Sequence, residues 1–212
     1  MAVTKQFGFF FDQDACIGCR SCEGACKNQW RADVGVRYRR VHTYEGGRYP
    51  HPVVAYLSLA CNHCEDPACI KVCPAKRIVK REQDGLVIYN DVGVKPDGTL
   101  DLSKVTCIFC GQCREACPYG VPQPNEKPAD GGPQRYEKCI ACYPRLDAGL
   151  QPACVASCLG GALFWGEVAA NERLPGAVRE IENFPDPAIT RPSTRFRKAR
   201  RTAPDMAEVT NR

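Results

Sequence analysis

The feature that most constrains this 212-residue chain is the placement of its 16 cysteines. They fall into four groups of four. Cys16, Cys19, Cys22 and Cys26 are spaced C-x2-C-x2-C-x3-C, and Cys107, Cys110, Cys113 and Cys117 repeat that spacing. Cys61, Cys64, Cys69 and Cys73 widen the middle gap to four residues, and Cys139, Cys142, Cys154 and Cys158 widen it to eleven. The chain is therefore an internal fourfold repeat of alternating standard and expanded groups. Any fold must be built around them.

Three chemistries use cysteines in such numbers. Disulfides need an oxidising compartment and Cα pairs about 4.4–6.8 Å apart, and they impose no repeated spacing. Structural zinc uses two Cys-x2-Cys pairs separated by a longer loop, which only the fourth group approaches. Iron–sulfur ligation fits every group. The bacterial run C-x2-C-x2-C-x3-C-P wraps three thiolates around one [4Fe–4S] cluster and passes the fourth to a neighbouring cluster. Cys73-Pro74 and Cys117-Pro118 carry the proline, and Gly18 and Gly111 let backbone N–H groups approach the sulfurs. Sixteen ligands at four per cube predict four [4Fe–4S] clusters with no cysteine left over. Because the fourth cysteine crosses over, the groups must pair into two-cluster units. Spacing alone permits one with two and three with four, or one with four and two with three.

The rest of the sequence offers no competing site. It has no GxGxxG, no phosphate loop, and no Ser/His/Asp or carboxylate constellation for chemistry on a substrate. No stretch approaches 18 apolar residues, so a membrane-crossing segment is not expected. Met1–Phe11 has one lysine and a short aromatic run, so a secretory signal of its own is not expected either. The formal charge of +5 suggests an acidic partner at face value. Each ligated cube, however, contributes about −2, which turns that +5 into about −3. The basic surplus then compensates buried cluster charge, and a nucleic-acid partner is not expected.

The residues between the cysteines carry a resemblance. They include Phe9-Phe10, Cys61-Asn62-His63-Cys64-Glu65-Asp66-Pro67-Ala68-Cys69, Cys117-Pro118-Tyr119-Gly120, Lys138-Cys139, Cys142-Tyr143 and Arg145. Pro152, Cys154-Val155, Ser157-Cys158 and Ala162-Leu163 follow. Over residues 7–168 the chain resembles the four-cluster iron–sulfur subunits of the dimethyl sulfoxide reductase and polysulfide reductase type of molybdoenzyme. The resemblance implies nested ligand sets. Cys16, Cys19, Cys22 and Cys158 would hold cluster A, and Cys26, Cys139, Cys142 and Cys154 cluster B. Cys61, Cys64, Cys69 and Cys117 would hold cluster C, and Cys73, Cys107, Cys110 and Cys113 cluster D. Some relatives replace a third-group cysteine; Cys107 is present here, so four cubane clusters are expected.

The expected class is α+β: two nested bacterial-ferredoxin-like modules with short hairpins and short helices, plus an extended C-terminal tail. Residues 1–60 and 118–170 would form the outer module, 61–117 the inner one, and 171–212 an extended basic tail that docks on a partner or stays solvated. Arg81–Tyr89 and Ala162–Val168 each read as a strand after a completed group. Helices should be short and begin near the fourth cysteine, as around Cys26–Trp30. Val92–Thr106 is longer than in the nearest relatives, and its Lys95-Pro96-Asp97-Gly98-Thr99 turn predicts an extra surface hairpin. Phe109 stands where a glycine is common, and Cys158-Leu159 lacks the proline. His63, between two ligands, is a candidate tuner of its own cluster, while His42 and His51 read as loop residues.

The resemblance implies one-electron transfer between a molybdenum or tungsten bis-pterin catalytic subunit and an integral membrane quinol-binding anchor. It implies no catalytic residues in this chain and no direct small-molecule substrate. Membrane association would come through these partners, on the extracytoplasmic face if a partner carries a twin-arginine signal, or else on the cytoplasmic face. The alternatives are a formate dehydrogenase or hydrogenase subunit and a free-standing soluble polyferredoxin carrier.

Overall fold

The computed structural model describes residues 5–182 and 184–209, so the first four residues of the leader reading and the last three of the tail lie outside the described residues. Short elements alternate with irregular loops, as expected where ligand-bearing loops replace a conventional core.

The main sheet is built on β1 (Phe7–Asp12), whose neighbours are β10 (Leu163–Glu167), antiparallel, and β12 (Arg195–Arg197), parallel. The strand β11 (Ala177–Val178) closes the far edge against β12. Phe9, Phe10 and Phe11 are all buried, the mark of a central strand covered on both faces. A second sheet pairs β2 (Arg40–Arg48) with β3 (His51–Leu59) as a long hairpin, with β13 (Ala207–Val209) on its outer edge. Three small hairpins follow: β4 (Ile78–Lys80) with β5 (Val87–Tyr89), β6 (Gly93–Val94) with β7 (Leu100–Asp101), and β8 (Gln123–Asn125) with β9 (Arg135–Glu137).

The β6–β7 hairpin is the extra one expected within 92–106. Its turn is closed by Asp97 Oδ1, which accepts from the Thr99 N–H at 3.0 Å and hydroxyl at 2.6 Å, with Gly98 at φ +78°. The expected strands 87–89 and 163–167 are also present.

The helices depart from the expectation in where they begin. The helix α1 (Ser21–Trp30) starts before the third cysteine of its group, and α2 (Ala68–Lys71), α3 (Gln112–Glu115) and α5 (Ala153–Ala156) likewise enclose Cys69, Cys113 and Cys154. The preceding ligand loops force this. In groups one and three, Gly18 at φ +67°, Arg20 at +59°, Phe109 at +56° and Gly111 at +78° turn the chain left-handed and release it into a helix just ahead of the third thiol, and Cys142 at +54° does the same ahead of residues 143–147. The two remaining helices, α4 (Tyr143–Asp147) and α6 (Val168–Asn171), are single turns.

The C-terminal segment is not a free arm. Thr190, Ser193, Thr194, Arg195 and Phe196 are buried, and Phe196 packs edge-on against Phe184 at 5.0 Å. Gly8 explains how the tail comes so close: a Cβ there would lie 2.3 Å from the Ser193 carbonyl oxygen. Arg195 is held by Glu172 at 2.8 Å, and Arg197 by Asp12 at 2.5 Å. A basic run read from sequence as either a docking arm or a solvated tail is therefore spent largely on internal pairing, because its charges meet carboxylates distant in sequence.

Candidate metal centres

The C-x3-C step that ends every group sets the spacing of the site. Cys22 and Cys26 lie four residues apart on α1, on one face and about 6 Å along the axis, and both are buried. The third and fourth thiols of group one thus lie on the same face one helical turn apart. The helices that carry the third thiol of each group pack in pairs, α1 on α5 and α2 on α3. Group one therefore meets group four, and group two meets group three.

Three cavities lie between these elements. One is lined by Cys16, Cys19, Cys22 and Cys158, a second by Cys61, Cys64, Cys69 and Cys117, and a third by Cys73, Cys107, Cys110 and Cys113. The space free of protein atoms in these cavities, their open mouths included, is about 310, 380 and 430 Å³, respectively. Cys26, Cys139, Cys142 and Cys154 are all buried, and Cys26 feels the charge of the other three. All sixteen thiols are free of disulfides.

Burial pushes the thiols of Cys64, Cys69 and Cys139 up to about 12 and that of Cys113 to about 11. Thiolates in these positions need a strong local positive charge, which bound iron supplies. Backbone N–H groups already aim at sulfur: Ala162 at Cys158 (3.2 Å), Ala141 at Cys139 (3.3 Å) and Tyr136 at Cys107 (3.4 Å). Asn62, beside the second cavity, keeps both side-chain polar atoms buried without a protein partner. Among the described residues no three Cys, His, Asp or Glu side chains converge on a point fit for one metal ion. The thiols stand around space instead, which suits a cube better than mononuclear zinc.

Comparison with known proteins points the same way. A family model described as a 4Fe-4S dicluster domain matches residues 52–168, and one described as a 4Fe-4S binding domain matches residues 7–28. One subunit of the anaerobic dimethyl sulfoxide reductase of Escherichia coli is 37% identical over 90% of this chain and 88% of its own length. This 212-residue protein belongs to that family of iron–sulfur subunits. More distant members are a subunit of the tetrathionate reductase of Salmonella typhimurium, 33% identical over 77% of this chain and 58% of its own, and the beta subunit of the selenate reductase of Thauera selenatis, 30% over 76% and 66%. The chain is thus an electron-transfer subunit carrying [4Fe–4S] clusters, and not itself the catalytic subunit. Among the described residues no helix is long and apolar enough to cross a membrane.

Several contacts made by functional groups of this iron–sulfur subunit escape sequence reasoning. The imidazole of His63 is fully buried and accepts from the Val87 N–H at 3.0 Å through Nδ1, so its proton sits on Nε2, 3.9 Å from Cys139 Sγ. Burial and the nearby Lys138, Lys80 and Arg39 hold it neutral. It therefore addresses a cysteine of group four rather than its own loop.

Lys138 lines the cavity of Cys61 and donates to the carbonyls of Val87 and Cys139, while Arg77, paired with Asp91 at 2.8 Å, lines the cavity of Cys107. The tail clamps the second ligand loop: Ser193 donates from its N–H to the Asn62 carbonyl and from its hydroxyl to the His63 carbonyl, at 2.9 and 2.7 Å. Glu65 and Asp66 N–H groups donate back to the carbonyls of Arg191 and Thr190. The tail's partners in this clamp are all distant from it in sequence. Phe109 adopts the left-handed conformation and packs on Tyr136 at 5.1 Å.

Proposed function

We propose that the chain holds four [4Fe–4S] clusters in a single file, A to D, through the ligand sets expected from the family resemblance, and that two nested ferredoxin-like modules build that file. The observation that carries this reading is the gathering of thiols into sets of four, each with three from one group and one from its partner group. Adjacency supports the order: Cys22 feels Cys154, Cys139 feels Cys61, and Pro122 lines the cavities of both Cys61 and Cys107. Bound clusters supply one-electron storage and transfer.

The protein's part is to fix the ligands, bury the set of Cys26, Cys139, Cys142 and Cys154 and offer an approach at each end. Cys19 and Cys110 are the two exposed cysteines, next to the exposed Ile17 and Ile108. One end would face a molybdenum or tungsten bis-pterin catalytic subunit and the other a quinol-reactive membrane anchor, as an anaerobic respiratory reductase requires. The relatives are subunits of reductases named for dimethyl sulfoxide, tetrathionate and selenate, so the terminal substrate belongs to the catalytic partner.

The test is metal and sulfide analysis of the purified complex, where about 16 iron and 16 sulfide per chain are expected. A colourless, zinc-dominated sample overturns the reading, as does removal of iron with no loss of folded structure. Co-purification of a molybdenum subunit and an integral membrane subunit supports the assembly, and a monomer that exchanges electrons without either identifies a free carrier. Fractionation then assigns the membrane face.

A further inference from the structure

Among the described residues four arginines are buried, and three of them have a carboxylate: Arg77 has Asp91, Arg135 has Asp130 and Glu137, and Arg195 has Glu172. Arg39 is the exception. It is 2% exposed, precedes β2, and forms no salt bridge among the described residues. Its Nη1 donates to the carbonyl and hydroxyl oxygens of Ser58, at 3.2 and 3.1 Å, and its guanidinium lies 4.4 Å over the Phe9 ring. Among the described residues Nε and Nη2 have no hydrogen-bond partner.

A buried guanidinium without a counter-charge costs several kcal/mol, so the fold must supply an anion. The charges that act on Arg39 most are, in order, Cys154, Cys139, Cys22 and Cys26. Three of these belong to the set assigned to cluster B and one to cluster A. Ser58 extends the contact, since its hydroxyl is 3.4 Å from Cys22 Sγ.

Resting on the ligand sets proposed above, we infer that Arg39 is a shared counter-cation of clusters A and B, a positioning residue whose free Nε and Nη2 donors serve the thiolates of B and whose Nη1 reaches A through Ser58. A fixed cation favours the more negative, reduced state of a neighbouring redox centre. Arg39 therefore raises the potential of B directly and that of A to a smaller extent, and makes the two respond together.

The experiment is an EPR-monitored redox titration of the intact complex with iron analysis alongside. Arg39→Met is expected to keep its iron and to lower the potential of cluster B by at least a tenfold change in the reduced-to-oxidised ratio, which is 59 mV for one electron, with a smaller fall for A. Arg39→Lys, which keeps the charge, should recover most of the shift in B. Ser58→Ala should move A and leave B in place. Should Arg39→Met fail to load iron, Arg39→Gln, which can still bond Ser58, must show the same fall in B. Unmoved potentials in either fully loaded neutral variant, or a lysine variant as low as the neutral one, overturn the inference. Fewer than four clusters in the unaltered protein would instead strike the ligand assignment beneath it.

Discussion

Replacing His63 by phenylalanine separates two readings of that residue, as a tuner of its own loop or of the next module. Two interactions are lost together. The Val87 N–H is buried with His63 Nδ1 as its acceptor, and leaving such a donor unpaired costs about 1–3 kcal/mol. The Nε2–H that faces Cys139 Sγ also disappears. A hydrogen bond to a charged acceptor is worth about 1.5–3 kcal/mol, and at 3.9 Å this one belongs at the low end. If most of it is gained on reduction, about 1 kcal/mol is lost from the reduced state, roughly 40 mV at 59 mV per tenfold change.

The assay is a potentiometric titration of His63→Phe in the assembled complex, with a thermal melt for stability. Cluster B is expected to fall by about that amount, and His63→Gln, which can both accept and donate, should recover part of it. A cluster B potential unchanged in His63→Phe, with the shift confined to the cluster of Cys61, would refute the cross-module assignment.

Other perturbations follow from the same packing. Phe196→Ala removes a fully buried ring from beside Phe184 and should cost about 3–5 kcal/mol in a melt of the loaded protein; a change below about 1 kcal/mol would mean the tail is peripheral after all. At Gly18 an added Cβ would sit 2.3 Å from the Tyr56 ring at a φ of +67°, so Gly18→Ala should lose the first cluster and about a quarter of the iron, and full iron content would contradict this. Asp91→Ala strips the buried Arg77 of its partner, about 3–5 kcal/mol, and frees the Thr106 N–H and hydroxyl that lead into Cys107. Loss of cluster D's EPR signal ahead of the others is the expected sign, and equal loss of all four argues against a local effect.

Much of the site is legible in the sequence because thiolate spacing is a local property. Two residues between cysteines allow only a tight turn around one centre, so the cofactor class follows from the text of the chain, and with it the expected ligands and electron transfer. The 93–101 hairpin is equally local, since Asp97 closes a turn onto Thr99. Helix starts are harder to read, because the left-handed residues that launch the helices include Arg20, Phe109 and Cys142, whose side chains do not announce that conformation.

What the tertiary structure decides is everything that depends on contacts across long stretches of chain. Spacing leaves two ways of pairing the cysteine groups, and the packing of α1 on α5 and α2 on α3 brings together one with four and two with three. Composition makes residues 191–201 a basic arm for docking or for solvent, but Glu172 and Asp12 lie where they can neutralise Arg195 and Arg197, and burial of Phe196 beside Phe184 draws the segment onto β1. His63 looks like a member of its own ligand loop until the fold turns its Nε2 toward Cys139, and Arg39 has no motif at all. A thiolate's nearest ligating neighbours are fixed by covalent reach, whereas the charges and donors around it arrive from distant parts of the chain and are set only when the chain is folded.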